Sequence, residues 1–564
     1  MMQDQTNTNY FDAIVVGSGI SGGWATKILA EGGLKTLMLE RGRMLRHGEY
    51  TTAGLDPWDM PYRGALTPEQ RQEYNKQTRT GWIGFDNKDM FVKDVDNPYD
   101  EDKRFDWIRG YQVGGRSITW GRQTYRLSDL DFEANAKEGI GVDWPIRYKD
   151  LAPWYDYVEK YVGISGQAMG LPHLPDGQFL PPMELNCVEQ HTKEKIESTF
   201  DSRYLTIGRV TNLTQQHNGR GPCQYRNRCI RGCPYSGYFS SLSSTIPDAE
   251  KSGNLSIRAN SVVHSIIYDE ATGKASGVRI VDAETKETHE FFAKVIFLNA
   301  SAIGSTSILM NSISDRFPNG MGNDSDQLGR NLMDHHYRVG AMGFIDGFED
   351  KYYKGRRPNG IYIPRFRNLD EATKRDDYLR GFGYQGGAGR AGFDQSSYTD
   401  GYGAEYKEQL MKPGPWSMSL VGFGEMLPDP SNRVYLNHDK KDPYGLPTVT
   451  FDCEFKDNEL AMRKDMKVSA AEMLEAAGFR DIREYDDLGA PGLGIHEMGT
   501  ARMGHDSKTS VLNKWNQVHG AENVFVTDGA AMTSSACQNP SLTYMALTAR
   551  AAHYALDQLK KKNL

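Results

Sequence analysis

The sequence predicts an α/β fold in which a Rossmann-like unit with a parallel sheet is interleaved with a second unit built on an antiparallel sheet. Residues 11–16 have the apolar pattern of a buried strand, 20–31 that of a helix and 36–40 that of a second strand, which is a βαβ opening. Residues 340–455 are rich in Gly, Tyr and Phe and contain short strand-like runs, which suits an antiparallel sheet. The chain has 564 residues, 38% of them hydrophobic, so it can bury two cores.

The turn after the first strand has the pattern G-x-G-x-x-G, formed by Gly17, Gly19 and Gly22. The first glycine permits the tight turn, the second lets a pyrophosphate approach the backbone, and the third lets helix and strand pack closely. The helix N-terminus then presents free N–H groups to the phosphates. Glu40 closes the second strand, where an acid can accept hydrogen bonds from ribose hydroxyls. These features predict a dinucleotide site without deciding between NAD and FAD.

The elements that follow are less regular. Residues 47–105 are polar, aromatic and punctuated by Pro and Gly, so we expect an excursion or lid there rather than part of the parallel sheet. Residues 110–128 return to Gly-rich loop chemistry. Short strands are predicted over 255–268, 276–283 and 289–298, and a helix over 457–477.

Composition excludes several classes of partner. A net charge of −8 argues against nucleic acid and anionic membranes. No stretch approaches the ~18 unbroken apolar residues that a membrane span needs. Only ten residues precede the first strand, so we expect no signal peptide and a cytoplasmic location, or a periplasmic one reached by co-export with a partner subunit.

Several segments together resemble the glucose–methanol–choline (GMC) oxidoreductase family over essentially the whole chain. Besides the N-terminal turn they are LNASAIGSTSILMNS (298–312), LGRNLMDH (328–335), HEMGT (496–500), VTDGAAM (526–532) and NPSLT (539–543). The resemblance implies an FAD cofactor and a two-domain fold similar to that of p-hydroxybenzoate hydroxylase. It places Asp528 and Gly529 near the flavin and pyrophosphate, and Val263 among the cofactor-binding residues.

This resemblance also guides the expected division of the chain. The FAD-binding domain is expected to comprise residues 10–50, 105–160, 205–340 and 485–564. The substrate-binding domain and lid are expected to comprise residues 51–104, 161–204 and 341–484.

GGRSITWG (114–121) resembles the segment that in some relatives carries a histidine covalently bonded to the flavin. Thr119 stands where that histidine would be expected, and a threonine cannot supply a nucleophilic ring nitrogen. We therefore expect Gly114, Gly115, Ser117 and Thr119 to contact an FAD that is bound tightly but non-covalently.

His496 and Asn539, which lie 43 residues apart, resemble the family's catalytic pair. Oxidation of an alcohol removes a hydroxyl proton as a hydride leaves carbon, and a neutral imidazole is the natural base. Asn539 can orient the same substrate oxygen. The adjacent His335–His336 pair and Glu425 lie in segments that resemble structural parts of the family, and we expect Cys537 to be a small buried thiol.

Three of the six cysteines, Cys223, Cys229 and Cys233, lie within one Gly- and Pro-rich loop. They can converge on one centre, and zinc with His217 as a fourth ligand or simple free thiols remain alternatives. The spacing resembles that of membrane-linked FAD glucose dehydrogenases and glucoside 3-dehydrogenases within the family. That resemblance implies a [3Fe–4S] cluster held by three thiolates.

These features predict an FAD-dependent dehydrogenase that oxidises a secondary ring hydroxyl of a sugar or glycoside, at C3. Electrons would pass through the cluster to a cytochrome c-type acceptor, and a small partner subunit is expected. One alternative is an oxygen-using pyranose-type oxidase, but an oxidase needs no cluster as a relay. Another is a flavin and iron–sulfur electron-transfer subunit without substrate chemistry, against which the His496/Asn539 pair argues.

Overall fold

The structure, a computed structural model, describes residues 9–351, 357–392 and 400–564. The α-helices of these residues are α1 (Ile20–Glu31), α2 (Pro68–Glu73), α3 (Asp129–Phe132), α4 (Ala134–Glu138), α5 (Tyr148–Val162), α6 (Cys187–Thr199), α7 (Thr245–Lys251), α8 (Ala302–Asn311), α9 (Gly403–Met411), α10 (Asp457–Ala476) and α11 (Ser541–Lys560). The strands are β1 (Tyr10–Val16), β2 (Thr36–Leu39), β3 (Asp100–Glu101), β4 (Ile164–Ser165), β5 (Phe179–Leu180), β6 (Thr206–Ile207), β7 (Leu255–Arg258), β8 (Ser261–Asp269), β9 (Lys274–Asp282), β10 (Thr288–Leu298), β11 (Val339–Ile345), β12 (Ile361–Ile363), β13 (Phe382–Arg390), β14 (Trp416–Gly424), β15 (Arg433–Lys441), β16 (Pro447–Asp452), β17 (Arg480–Asp486), β18 (Gln517–Val518) and β19 (Ala521–Val526).

An eight-stranded sheet forms the first layer, in the order β18-β19-β10-β1-β2-β7, with β9 paired to β10 and β8 to β9. The strands β19, β10, β1, β2 and β7 run parallel. Val16 at the end of β1 lies beside Leu39 on one neighbour and Leu298 on the other. β1 therefore has the next strand, β2, on one side and the much later strand β10 on the other. A reversal of strand order of this kind opens a crevice at the carboxyl ends of the strands.

Apolar packing holds helices against this sheet. Trp24 of α1 is fully buried and meets the ring of Tyr161 from α5 edge-on, with centroids 5.0 Å apart. Phe297 and Phe525, on the adjacent strands β10 and β19, stack at 4.8 Å. Aromatic pairs of this kind add to the free energy gained from burial.

A six-stranded antiparallel sheet, in the order β17-β11-β14-β13-β12-β6, forms the second layer. Side chains of β14 alternate between buried and part-exposed. Leu420 belongs to the core formed with the methionines of α10, whereas Val421 and Phe423 point the other way, towards the main cavity. The period of two thus divides the strand between core and cavity.

A three-stranded sheet, β15-β16-β3, lies beside the first layer. The turn between β15 and β16 reaches the end of β2, where Arg41 pairs with Asp442 at 3.3 Å. The Arg41 guanidinium also lies against the rings of Tyr111 and Tyr444. The hairpin is thereby held over the nucleotide end of the crevice.

The predicted βαβ opening is confirmed, with the helix over the predicted residues and the second strand ending at Leu39, so that Glu40 follows it directly. The fold class is confirmed as well, but the antiparallel sheet also recruits β6 and β17 from outside residues 340–455. The boundaries of the two domains stay a prediction. Within the described parts of the chain, no helix is long and apolar enough to cross a membrane.

The glycine turn yields a stability prediction. A Cβ at position 22 would lie 1.9 Å from the carbonyl oxygen of Gly17, whereas one at position 19 would meet nothing within 4 Å. We expect Gly22→Ser to lower the free energy of unfolding of the nucleotide-free protein by about 1–3 kcal/mol through overpacking. Gly19→Ser is the matched control, because serine is a good helix N-cap, and it should unfold like the unmodified chain in urea. Equal unfolding midpoints for the two variants would contradict the packing role of Gly22.

Candidate active site

One cavity of about 1020 Å³ extends from the carboxyl edge of the eight-stranded sheet to the six-stranded sheet. The predicted catalytic and cofactor-binding residues that line it are Gly17, Gly19, Glu40, Gly115, Ser117, Thr119, Val263, His496, Asp528, Gly529 and Asn539. Gly22 and Gly114, which the sequence also assigns to the cofactor site, do not line this cavity, and that assignment stays a prediction. Gly22 packs α1 on the turn, and Gly114, at φ 95°, faces Leu242.

The nucleotide end is built from the tips of β1, β2 and β10. Glu40 is buried, its pKa is raised by that burial, and it accepts hydrogen bonds from the Ser18 hydroxyl at 2.5 Å and from Gly42 N–H at 2.9 Å. The Asn299 side chain accepts from Thr527 at 2.8 Å through its oxygen, while its buried Nδ2 has no hydrogen-bond partner among the described residues. A free donor on the same cavity as the open face of Gly19 fits a phosphate group.

The loop with Thr119 closes over the glycine turn. A Cβ on Gly115 would lie 3.3 Å from the Cα of Gly19, so the two backbones nearly touch. The Ser117 hydroxyl donates to Gly114 O at 2.5 Å and contacts the hydroxyl of Ser241 at 3.0 Å, which fixes the loop. Thr119 faces the cavity.

Asp528 and Gly529 follow β19 at the same edge. Asp528 accepts from the Ser305 hydroxyl at 2.5 Å and from Ala530 N–H at 3.0 Å, and burial raises the pKa of its carboxyl to about 6. A Cβ on Gly529 would lie 2.3 Å from Glu497 O, so only glycine permits this approach to the loop that carries His496.

The loop that carries His496 is held by one buried carboxylate. Asp334 accepts hydrogen bonds from the backbone N–H groups of Gly492, Gly494 and His496 at 2.8, 2.9 and 3.0 Å. Burial, together with the nearby Glu497 carboxylate, raises the pKa of Asp334 to about 7. Burial lowers the pKa of His496 well below its usual value, so the imidazole is neutral at physiological pH. A neutral imidazole facing the cavity can accept a proton.

His335, expected to be structural, contacts His496 directly. The two Nδ1 atoms lie 2.7 Å apart, and the rings are nearly perpendicular. His336 by contrast is fully buried against Gly424 and has the structural surroundings expected of it.

Asn539 also has a partner that sequence reasoning missed. Gln385 of β13 donates from Nε2 to Asn539 Oδ1 at 2.6 Å, and both residues line the cavity. Gln385 lies opposite Val421 in the sheet, two residues along from the pair that Phe423 makes with Gly383. Because residues two apart on a strand share a face, Gln385, Val421 and Phe423 form one wall of the cavity.

Aromatic side chains extend that wall. Tyr337 stacks on Phe423 with centroids 5.2 Å apart, and Trp82 from the stretch predicted as a lid donates to the Tyr337 hydroxyl at 3.3 Å. Flat, apolar surfaces with a few polar groups at one end are typical of small-molecule sites. Arg116 and Glu497, paired at 2.9 Å, supply charge beside His496.

The three loop cysteines border a second, small cavity. Cys223, Cys229 and Cys233 are half-buried, and burial with the neighbouring thiols raises the pKa of Cys223. Cys229 lines the main cavity as well, and its carbonyl accepts from Tyr238, whose hydroxyl also bonds to Ile118 beside Thr119. Within the chain as described, no group of three ligands is arranged to hold a single metal ion.

The zinc alternative gains no support from His217, whose Nε2 lies 2.9 Å from Lys160 O. Two of the three arginines between the cysteines form ion pairs with acids outside the loop. Arg228 pairs with Asp56, and Arg231 with Asp86 at 2.8 Å, so they tie the loop to residues 51–86.

Two further expectations concern buried groups. Glu425 pairs at 2.9 Å with Arg380, whose side chain is fully buried, so its carboxyl supports the fold rather than the cavity. Burial raises the pKa of the Cys537 thiol, which contacts Gln538 and is a small buried thiol as expected.

Comparisons with known proteins agree with this geometry. Models of the family described as GMC oxidoreductase match residues 11–337 and 428–548. The chain is 28% identical to 2-methyl-1,2-propanediol dehydrogenase of Mycolicibacterium austroafricanum, covering 97% of this chain and 96% of that protein. It is 26% identical to the fructose dehydrogenase large subunit of Gluconobacter japonicus, covering 98% of each. A formate oxidase structure from Aspergillus oryzae, 17% identical, shares the fold with a TM-score of 0.59, covering 99% of this chain and all of that one.

The FAD cofactor of such proteins fits the free Nδ2 of Asn299, the open face of Gly19 and the buried Glu40. The first matched stretch alone spans more than half of the chain. The chain belongs to the GMC oxidoreductase family and is an FAD-dependent oxidoreductase.

Proposed function

We propose that this protein is a dehydrogenase that oxidises a secondary ring hydroxyl, at C3, of a sugar or glycoside. The observation that carries the proposal is that His496 lines the same cavity as the hydrogen-bonded pair Asn539 and Gln385, together with the cofactor loop and an aromatic wall. Amide groups suit a substrate with several hydroxyls, and aromatic faces suit the C–H face of a sugar ring. Similarity to a fructose dehydrogenase subunit supports a sugar, and similarity to a propanediol dehydrogenase keeps small polyols as the second candidate.

The proposed roles follow from the hydrogen bonds. His496 takes the hydroxyl proton, because its imidazole is neutral and faces the cavity. Gln385 engages the carbonyl oxygen of the Asn539 amide and leaves the Asn539 N–H₂ group to donate to the substrate oxygen. FAD, when bound, accepts the hydride.

The residues that would hold FAD are Gly17, Gly19 and Glu40 at the nucleotide end, Val263 on β8, Gly115, Ser117 and Thr119 over the turn, and Asp528 and Gly529 near the flavin. Gly22 and Gly114 support them from behind.

For electron transfer we propose that Cys223, Cys229 and Cys233 hold a [3Fe–4S] cluster. Three thiols border one small cavity, and among the described residues that line it there is no His, Asp or Glu to serve as a fourth ligand, which suits a three-iron cluster better than zinc. Such a cluster would supply one-electron transfer to a cytochrome c-type acceptor, and a small partner subunit would accompany this chain. The large-subunit description of one relative supports a partner.

The test of the proposed function is an anaerobic screen of sugars, glycosides and small polyols with a dye acceptor, with the oxidised carbon identified by NMR. We expect a 3-keto product from a sugar or glycoside. A polyol as the only substrate, or faster turnover with oxygen than with the dye, would favour the second candidate or the pyranose-type oxidase. No flavin reduction by any of them would favour an electron-transfer subunit.

His496 should dominate the chemical step. We expect His496→Gln to retain FAD and to slow anaerobic flavin reduction by roughly 10²–10⁴-fold, the usual value of general-base help. His505→Gln is the matched control, since His505 lies on the surface with its side chain 64% exposed, and should react like the unmodified enzyme. Reduction of the His496 variant within about threefold of the unmodified rate would remove His496 as the base.

The flavin should be non-covalent, because Thr119 offers no ring nitrogen. Precipitation with acid should therefore release all the yellow colour into the supernatant, as measured by absorbance. Flavin that stays with the protein pellet would contradict this expectation.

The cysteine loop should carry iron. We expect about three irons per chain and an EPR signal in the oxidised enzyme, because a three-iron cluster has an odd electron count. Cys229→Ser should abolish the signal and transfer to a cytochrome acceptor, while flavin reduction by substrate survives. Cys453→Ser, a buried cysteine elsewhere, is the control and should keep the signal. Zinc without iron in anaerobically prepared protein would contradict the cluster and would indicate that the loop has a structural role.

A further inference from the structure

We propose that His335 is a positioning residue that fixes the proton of His496 on Nδ1 and so leaves Nε2 of His496 free to act as the base. This inference rests on the proposed role of His496 and goes beyond it, because it states which ring nitrogen reacts and what selects it.

The geometry is a chain of two short contacts. His335 is 1% exposed, and its Nε2 lies 2.7 Å from the backbone carbonyl oxygen of Ala536. Its Nδ1 lies 2.7 Å from Nδ1 of His496, with the ring planes at 80°. Both distances are those of good hydrogen bonds.

The protons in this chain can be placed by elimination. A carbonyl oxygen only accepts, so the proton of His335 must be on Nε2. Burial lowers the pKa of His335 to about 4, so the ring is neutral and has no second proton for Nδ1. Nδ1 of His335 is therefore an acceptor, and Nδ1 of His496 must donate to it. The other nitrogen of His496, Nε2, then carries the lone pair.

Both ends of this hydrogen-bond chain are anchored to the buried backbone. Ala536 adopts a left-handed backbone conformation at φ 54°, unusual for a residue with a Cβ, and is completely buried. His496 is held by its backbone N–H to Asp334, the residue that precedes His335. The backbone of His496 and the ring of His335 are thus each tied to a buried partner.

The arrangement also serves the protonated state. When Nε2 of His496 takes the hydroxyl proton, the ring becomes an imidazolium whose Nδ1–H already donates to His335, and a hydrogen bond from a charged donor is the stronger kind. Without that acceptor the proton of the neutral ring could sit on either nitrogen, and a base with its proton on the reacting nitrogen cannot act.

Two nearly isosteric substitutions separate this role from packing. His335→Asn retains an oxygen in the place of Nδ1, whereas His335→Leu has the same shape without an acceptor. In holoenzyme with the substrate found by the screen, we expect His335→Leu to slow flavin reduction by about 100-fold at unchanged KM. His335→Asn should recover to within about tenfold of the unmodified rate. Equal rates for the two variants, whether both fast or both slow, would overturn the proposal.

A second readout does not depend on turnover. In protein labelled with ¹⁵N-histidine, the unmodified chain and His335→Asn should show a strongly deshielded proton coupled to Nδ1 of His496, assigned by its loss in His496→Gln. His335→Leu should lack it. A proton on Nε2 of His496 in the unmodified protein would overturn the inference. If no substrate reduces the flavin, the proposed function fails while this spectrum still decides the position of the proton.

Discussion

The hydrogen bonds that the Asp334 carboxylate accepts are the interaction on which the rest of the site depends, because they hold the loop that carries His496. Asp334 accepts three backbone hydrogen bonds from the loop 492–496, and it lies between two isolated bridges, one from Met333 to Met498 and one from His336 to Gly424 of the six-stranded sheet. One buried group therefore fixes the loop that carries His496 relative to the six-stranded sheet. A buried carboxylate is costly unless its oxygens are fully bonded, and here the loop backbone supplies those bonds.

Much of the nucleotide half could be predicted because its signals are local. The glycine turn, the acid at the end of β2 and the helix between them lie within 40 residues, and each has one geometric reason. The pair His496/Asn539 came from resemblance to a family. Gln385 escaped notice because only the register of β13 against β14 brings it to Asn539, and register depends on tertiary pairing. The one local signal for Gln385 is that a polar amide side chain stands within a Gly-rich strand.

The contact of His335 with His496 was not predicted, for a related reason. A pair of adjacent histidines after Asp334 gives no sign that successive side chains face opposite ways, one to Gly424 and one to His496, 161 residues away.

The cysteine loop is the opposite case. Its spacing was visible in the sequence, but the contact of Cys229 with the main cavity is a property of the fold, as is the neutralisation of Arg228 and Arg231 by residues of the stretch 51–86.

The alternation along β14 has an evolutionary consequence. Leu420 and Gly422 belong to the protein interior, while Val421 and Phe423 belong to the substrate wall, and Gln385 extends the same wall on β13. Mutations at Gln385, Val421 and Phe423 can change which alcohols the enzyme accepts without disturbing the methionine-rich core behind them. Insertion of a single residue would exchange the two faces at once. Substrate range can thus change by point substitution on one face, whereas a shift of register would alter the core and the cavity wall together.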